Sequence, residues 1–317
     1  MSEAIVLVIG ANGQLGSVLI KELQKIHGVP NVIASDVYLD PNFEGVFELL
    51  DASNMASIHS IIKQYSVTQI YQLAAILSAK GEQYPLKTWE LNTKMMLNVF
   101  EVARKSAVNK VFFPSSIAVY GTKAPLQKSP QSAFLNPATV YGISKSAGEN
   151  WAQYYFNKYN LDIRSIRYPG VIGYQSMPGG GTTDYAVDIY HSAVKKETFN
   201  CFLKADTKLP MIFMDDAIRA TIELMQSPKE NIKTRTSYNL GSMSLNPMQI
   251  YEAIKTKYPS FEIEYNPDFR QGIADNWPNS IDDKEARSDW GWEPKFDLKS
   301  MTSIMLEKLE DRYNKTN

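Results

Sequence analysis

Apolar residues in this chain come in short unbroken runs, separated by longer stretches in which apolar positions recur every three or four residues. "AIVLVIG" (4–10) reads as a fully buried strand and "NVIASD" (31–36) as a second apolar one, with further strands at "QIYQLAA" (69–75), "KVFFPSS" (110–116) and "LDIRSIRYP" (161–169). A further strand precedes "LLDAS", and the intervening periodic stretches predict helices over 14–28, 56–66, 89–107 and 141–159. Strands separated this regularly by helices predict an α/β fold, a doubly wound parallel sheet with helices on both faces.

Beyond Gly170 the alternation weakens. A glycine-rich loop and a helix come first, then a helix (215–227) and a strand (236–242) that return to the sheet. The rest reads as the helix "NPMQIYEAIKTKYP", the strand "FEIEYN" and a mixed tail. The pattern divides the chain into a larger unit, residues 1–169 with 206–242, and a smaller one, 170–205 with 243–317, placed to cover a site. With 317 residues, 44% of them hydrophobic, the chain can bury a substantial core.

A formal charge of -1, with scattered Lys and Arg, leaves no electrostatic footprint for nucleic acid or an anionic membrane. A small neutral or zwitterionic partner fits better. One cysteine, Cys201, and three isolated histidines, His27, His59 and His191, offer no zinc-ligand spacing, so no metal is expected. The opening "MSEAIVLVIGANG" has no basic segment and too short an apolar run for a signal or a membrane span, so a cytosolic (cytoplasmic) protein is expected.

Gly10, Gly13 and Gly16 give G-x-x-G-x-x-G between the first strand and its helix. Such glycines permit the tight turn and let backbone N–H groups and a helix N-terminus approach a pyrophosphate. Asp36 closes the second strand about twenty residues further on, where a carboxylate accepts hydrogen bonds from an adenosine ribose. No Lys or Arg in "DVYLDPN" stands ready for a 2′-phosphate, which points to NAD over NADP. Asp51 has two readings, an adenine-side contact or a cap of the next helix, a role open also to Ser53 and Asn54. "LAA" (73–75) puts small residues where a cofactor backbone would pass closely.

Tyr141 and Lys145 stand four apart at the head of a helical run, so they share one face. A nearby ammonium favours phenolate and moves a phenol toward service as a general base. Ser115 and Ser116 end a parallel strand at the carboxyl edge, where open α/β sheets bind ligands.

Together these motifs resemble the extended short-chain dehydrogenase/reductase family, which has a Rossmann fold, over essentially the whole chain: the glycine loop, "SSIAVYG", "YGISK" and "RYPG" fall in family order. The resemblance implies Tyr141 as catalytic base, Lys145 as ribose contact and Ser116, four before Tyr120, as the family hydroxyl. Asn92 of "ELNTK" would support the site. Ile9 departs from the Thr or Gly often found before the first glycine. The implied cofactor contacts are Gly10, Asn12, Gly13, Gln14, Leu15, Gly16, Asp36, Asp51, Ala52, Leu73, Ala74, Ala75, Asn92, Tyr141, Lys145 and Tyr168.

"ILSAKGE" (76–82), "RYPGVIGYQSMPGGGTTDYAVDIY" (167–190) and "FRQGIADNWPNSIDD" (269–283) resemble the metal-free L-threonine 3-dehydrogenases of that family. That likeness implies NAD-dependent oxidation of L-threonine to 2-amino-3-oxobutyrate, in a pocket of Ser78, Ser116, Tyr141, Thr182, Thr183, Asp184 and Trp277. Thr182 and Thr183 also read as a helix N-cap region, Trp277 as a core aromatic, and Gly179–Gly181 as either a closing loop or an exposed turn. The rivals are a sugar-nucleotide epimerase or dehydratase, and a non-enzymatic NAD-binding regulator. Family members pair as homodimers through helices equivalent to 89–107 and 141–159, so a homodimer is expected.

Overall fold

The computed structural model describes residues 4–315. The chain first lays down β1 (Val6–Ile9), β2 (Val32–Asp36), β3 (Val46–Leu49), β4 (Gln69–Gln72), β5 (Lys110–Ser116) and β6 (Asp162–Tyr168). Short strands follow: β7 (Gly170–Ile172), β8 (Phe199–Cys201), β9 (Leu209–Phe213), β10 (Tyr238–Asn239), β11 (Met243–Leu245) and β12 (Ile263–Tyr265). Among the described residues seven strands form the main sheet, all pairs parallel, in the order β10-β6-β5-β4-β1-β2-β3. The order reverses between β1 and β4, and a crevice opens beyond the strand ends at such a reversal.

Both faces of the sheet are covered. One carries α1 (Gly16–His27) and the later Met214–Gln226 helix; the other carries α2 (Met55–Tyr65), the long Pro85–Lys105 helix and the Val140–Tyr159 helix. The central strands are therefore apolar on both sides: every residue of β1 is buried. In chain order the remaining helices are α3 (Ser78–Gly81), α4 (Pro85–Lys105), α5 (Val140–Tyr159), α6 (Tyr185–Lys195), α7 (Met214–Gln226), α8 (Pro247–Lys255), α9 (Phe269–Ala274), α10 (Lys284–Trp290) and α11 (Leu298–Asn314). A separate apolar cluster joins α6, α8 and α11 to the segments around Trp277.

The late strand does return to the main sheet, as β10 beside β6. Elsewhere the pattern was incomplete. The segment after Gly170 contains β7, which pairs with β9, and β9 in turn pairs antiparallel with β11. "FEIEYN" forms β12, whose parallel partner β8 went unread. Strands of three residues are too short to carry a periodicity. Helix α4 begins at Pro85 rather than 89, because a proline fits the first helical position, where its missing N–H costs nothing. None of the described helices is long and apolar enough to cross a membrane.

Candidate active site

The β1–α1 turn lies flush against the end of β4. Gly10 has φ +90°, and a Cβ there would lie 2.7 Å from the Ala74 nitrogen. Asp36, at the end of β2, braces the same turn: its Oδ2 accepts the Asn12 N–H at 3.0 Å and its Oδ1 the Val37 N–H at 2.7 Å. The Asn12 amide then donates to the Tyr38 carbonyl at 2.7 Å. Gln14 Nε2 is buried with no partner among the described residues, and Gln14 lines the crevice. An unmet buried donor costs about 1–3 kcal/mol, so an acceptor oxygen from a ligand is the natural complement. The loop, the free amide and the start of α1 together fit a dinucleotide phosphate.

At the inner end of the crevice is a cavity of about 140 Å³, lined by Gln14, Leu15, Leu73, Ala75, Ser78, Ser116, Tyr141 and Lys145 among others. Tyr168, Thr182, Thr183, Asp184 and Trp277 complete the sequence-predicted members. The chain thus gathers residues from β4, β5, β6, α5 and the segment before α6 around one small space. Sequence reasoning missed Leu77, Pro114, Ile117, Pro169, Gly170 and Val171, which also line it. Most of these flank predicted residues at strand ends, the one signal that could have found them.

Ser116 ends β5 and its hydroxyl accepts the Ala118 N–H at 3.2 Å, capping a short 3-10 turn, Ile117–Val119. Thr139 caps α5 by accepting the Gly142 N–H at 3.0 Å. A Cβ on Gly142 would lie 2.1 Å from the Ala118 oxygen, so only glycine lets the first turn of α5 lie against that 3-10 turn. Tyr141 is thereby brought beside Ser116, whose hydroxyl favours the phenolate.

Burial dominates the electrostatics here. It pushes the Tyr141 phenol up to about 12, with the Ser116 hydrogen bond pulling the other way. The fully enclosed Lys145 ammonium is brought down to about 7 by burial. The expectation that Lys145 draws the phenol down is not met in this structure. Lys145 Nζ donates instead to the Pro114 carbonyl at 2.6 Å, and it sits 5.5 Å from the Tyr141 ring centroid.

The wall opposite comes from α3 and the segment before α6. The Ser78 and Thr182 hydroxyls, both buried, lie 3.2 Å apart. Asp184 Oδ2 accepts the N–H groups of Gly180 (2.8 Å) and Gly181 (2.7 Å), and burial raises its carboxyl. The glycine turn is therefore tied to the residue that starts α6. Trp277 is 5% exposed; it belongs to the α6/α8/α11 core and lines the cavity as well.

The other expected contacts are engaged mainly with the protein itself. The Asn92 amide donates to the Ile76 carbonyl at 3.0 Å and accepts the Ile76 N–H at 2.9 Å. It supports the loop that carries Ser78 and does not itself line the cavity. Asp51 Oδ1 accepts the Ser53 N–H at 2.8 Å, while Asn54 is the residue that caps α2. Ala52 lies in the core under α2, its carbonyl taken by Asn98. Ala74 packs into the same core, and the Tyr168 hydroxyl is engaged by Thr221 on α7. Among the described residues no three His, Cys, Asp or Glu side chains cluster as a metal site requires.

A nucleotide-shaped turn at the sheet's reversal point, an acidic β2 end and a Ser–Tyr–Lys constellation define a dinucleotide-dependent enzyme of the short-chain type. The chain belongs to the NAD dependent epimerase/dehydratase family, whose profile matches residues 6–241, and NAD is its cofactor. It is similar to a partial consensus L-threonine 3-dehydrogenase, with 50% identity and a TM-score of 0.95 over 96% of this chain and 99% of that one. It is also similar to a GalE-like L-threonine dehydrogenase from Cupriavidus necator in its holo form, with 48% identity and a TM-score of 0.94 over 96% and 99% of the two chains. A curated relative, an uncharacterized epimerase/dehydratase from Staphylococcus haemolyticus (strain JCSC1435), is 41% identical over 97% of this chain and 98% of its own length.

Proposed function

We propose that this enzyme oxidises L-threonine at its 3-hydroxyl, with NAD, to 2-amino-3-oxobutyrate. The observation that carries the reading is the small cavity in which the Ser116–Tyr141 pair faces the Ser78, Thr182 and Thr183 hydroxyls. Among the described residues lining it the only basic side chain is Lys145, which leaves little to hold the diphosphate of a sugar nucleotide. The likeness to L-threonine dehydrogenases adds support.

The glycine turn of Gly10, Gly13 and Gly16 would hold the cofactor's phosphates with Gln14, and Asp36 its ribose. When bound, NAD supplies the hydride acceptor and the positive charge of its oxidised ring. Ser116 holds the substrate's 3-oxygen, and Tyr141 takes the hydroxyl proton as the C–H bond is broken. From its place on the Pro114 carbonyl, Lys145 would contact the cofactor's ribose. Ser78 and Thr182 offer hydroxyls to the substrate's carboxylate, with the N-terminus of α6 adding its partial positive charge. Holding the two reactants face to face accounts for much of the rate.

The test is turnover. Purified enzyme given L-threonine and NAD forms NADH, whereas UDP-glucose gives no epimer. Inertness toward threonine with turnover of a sugar nucleotide would transfer the site to the rival reading.

A further inference from the structure

Three successive residues of β5 are each held by α5, one helical turn at a time. Pro114 gives its carbonyl to Lys145 at 2.6 Å, Ser115 gives its hydroxyl proton to Glu149 Oε1 at 2.6 Å, and Ser116 stands beside the Tyr141 phenol. Positions 141, 145 and 149 are four apart, so one helical face supplies all three. The reaction as described uses Tyr141 and Lys145 and leaves Glu149 without a role.

Glu149 is 1% exposed, and a carboxylate that deep persists only with full compensation. Arg167 provides it. Its Nε lies 2.9 Å from Oε1 and its Nη2 2.8 Å from Oε2, a two-pronged pair between groups almost sealed from water. Arg167 stands opposite Ser115 in the β5–β6 register, so the pair spans both strand ends. Its remaining donor, Nη1, reaches the Tyr120 hydroxyl, the Gln131 carbonyl and Asn239 Oδ1, each at 3.1 Å. Tyr120 follows the 3-10 turn that Ser116 caps, and Asn239 lies on β10. The network therefore surrounds Ser116 on its strand, its following turn and its facing helix, and meets the cavity only at Ser115, whose hydroxyl is turned away to Glu149.

We propose that Glu149 is a positioning residue, which acts through Ser115 and Arg167 to set the register of β5 on α5 and hence the approach of Ser116 to Tyr141. The inference rests on the reading of those two residues as the reacting pair. A misplacement of about 1 Å costs on the order of a hundredfold in rate, so a partial loosening shows in kcat before it shows in folding.

Ser115→Ala is the clean test, because it cuts the strand from Glu149 while leaving the Glu149–Arg167 charges paired. Glu149→Gln leaves a buried guanidinium unmatched and can fail to fold, so it serves only as a companion. The expected result for Ser115→Ala is about a tenfold fall in kcat for threonine, with KM, NAD affinity and Tm near wild type. In a Ser116→Ala background the same change should cost nothing further, a non-additivity that a merely structural serine would not give. Additive losses, or a fall in Tm matching the fall in rate, would overturn the proposal. Wild-type inertness toward threonine would instead sink the substrate reading. The positioning claim then stands or falls on the crystal structure of Ser115→Ala: a displaced Ser116 hydroxyl supports it, and an unmoved one refutes it.

Discussion

The Lys145 ammonium lies 2.6 Å from the carbonyl oxygen of Pro114, on the strand beneath it, rather than on the phenol of Tyr141 one turn away. That placement makes the lysine a buried cation with one close hydrogen bond, and burial brings it down to about 7. In the unfolded chain a lysine titrates near ~10.4. Between the two values the unfolded state holds a proton that the native state does not, so stability rises with pH across that window. Below pH 7 the full cost of burying the ammonium is present. Lys145→Met is expected to raise the Tm of the cofactor-free protein at neutral pH and to lose activity, its thermal advantage shrinking as the pH approaches 10. An equal Tm difference at every pH would contradict the burial argument.

Tyr141→Phe removes one oxygen and keeps the ring that packs against the core. Proton transfer by a positioned side chain contributes roughly 10²–10⁴-fold, so kcat should fall by that order while NAD affinity holds. Because burial holds the phenol near 12, wild-type kcat should climb with pH above neutrality. Stopped-flow and pH-rate measurements on both proteins check the two statements together.

Asp36 does two things at once: it braces the glycine turn through Asn12 and presents a carboxylate at the end of β2. Hydrogen bonds to a charged group are worth about 1.5–3 kcal/mol, so Asp36→Ser should weaken NAD by about tenfold or more. It should also narrow the preference for NAD over NADP, since the charge that repels a 2′-phosphate is gone. Titration of both cofactors by fluorescence gives the ratio.

The Ser78–Thr182 hydroxyl pair joins α3 to the segment before α6 on one wall of the cavity. Thr182→Val keeps the shape and deletes the hydroxyl. A net loss of about 1 kcal/mol per hydrogen bond predicts a severalfold rise in KM for threonine with a smaller change in kcat. Thr182→Ser should restore it.

Along α5, Trp151, Tyr154 and Tyr159 are each about two-fifths exposed and their rings meet edge to face, an aromatic stripe that a monomer leaves wet. We propose that two copies pair across it. Sedimentation should report a dimer that Trp151→Glu converts to monomer; a wild-type monomer at micromolar concentration would rule the pairing out.

Much of this architecture was legible because strands buried on both faces write themselves as apolar runs, as "VLVI" and "KVFFPSS" do. The Tyr141–Lys145 spacing and the glycine loop were equally legible, since both depend on fixed local geometry. The strands β7, β8 and β11 were not, because three residues carry no period and their pairing is set by tertiary contact alone. Nor could sequence weigh burial against charge: proximity on one helical face argued for a lowered phenol, and only the depth of the cavity reverses the sign. The resemblance singles out Ser116 of the two serines, and the partner of Ser115, Glu149, stands one helical turn beyond Lys145 with no motif to mark it.

The most direct measurement is NADH formation from L-threonine by the wild-type enzyme beside Tyr141→Phe, with NAD and NADP in turn. Production with NAD, little with NADP and a loss on the order of 10²–10⁴-fold on substitution are expected. Turnover that survives the loss of the phenol would contradict the assignment of the base, and no turnover of threonine at all would contradict the proposed reaction.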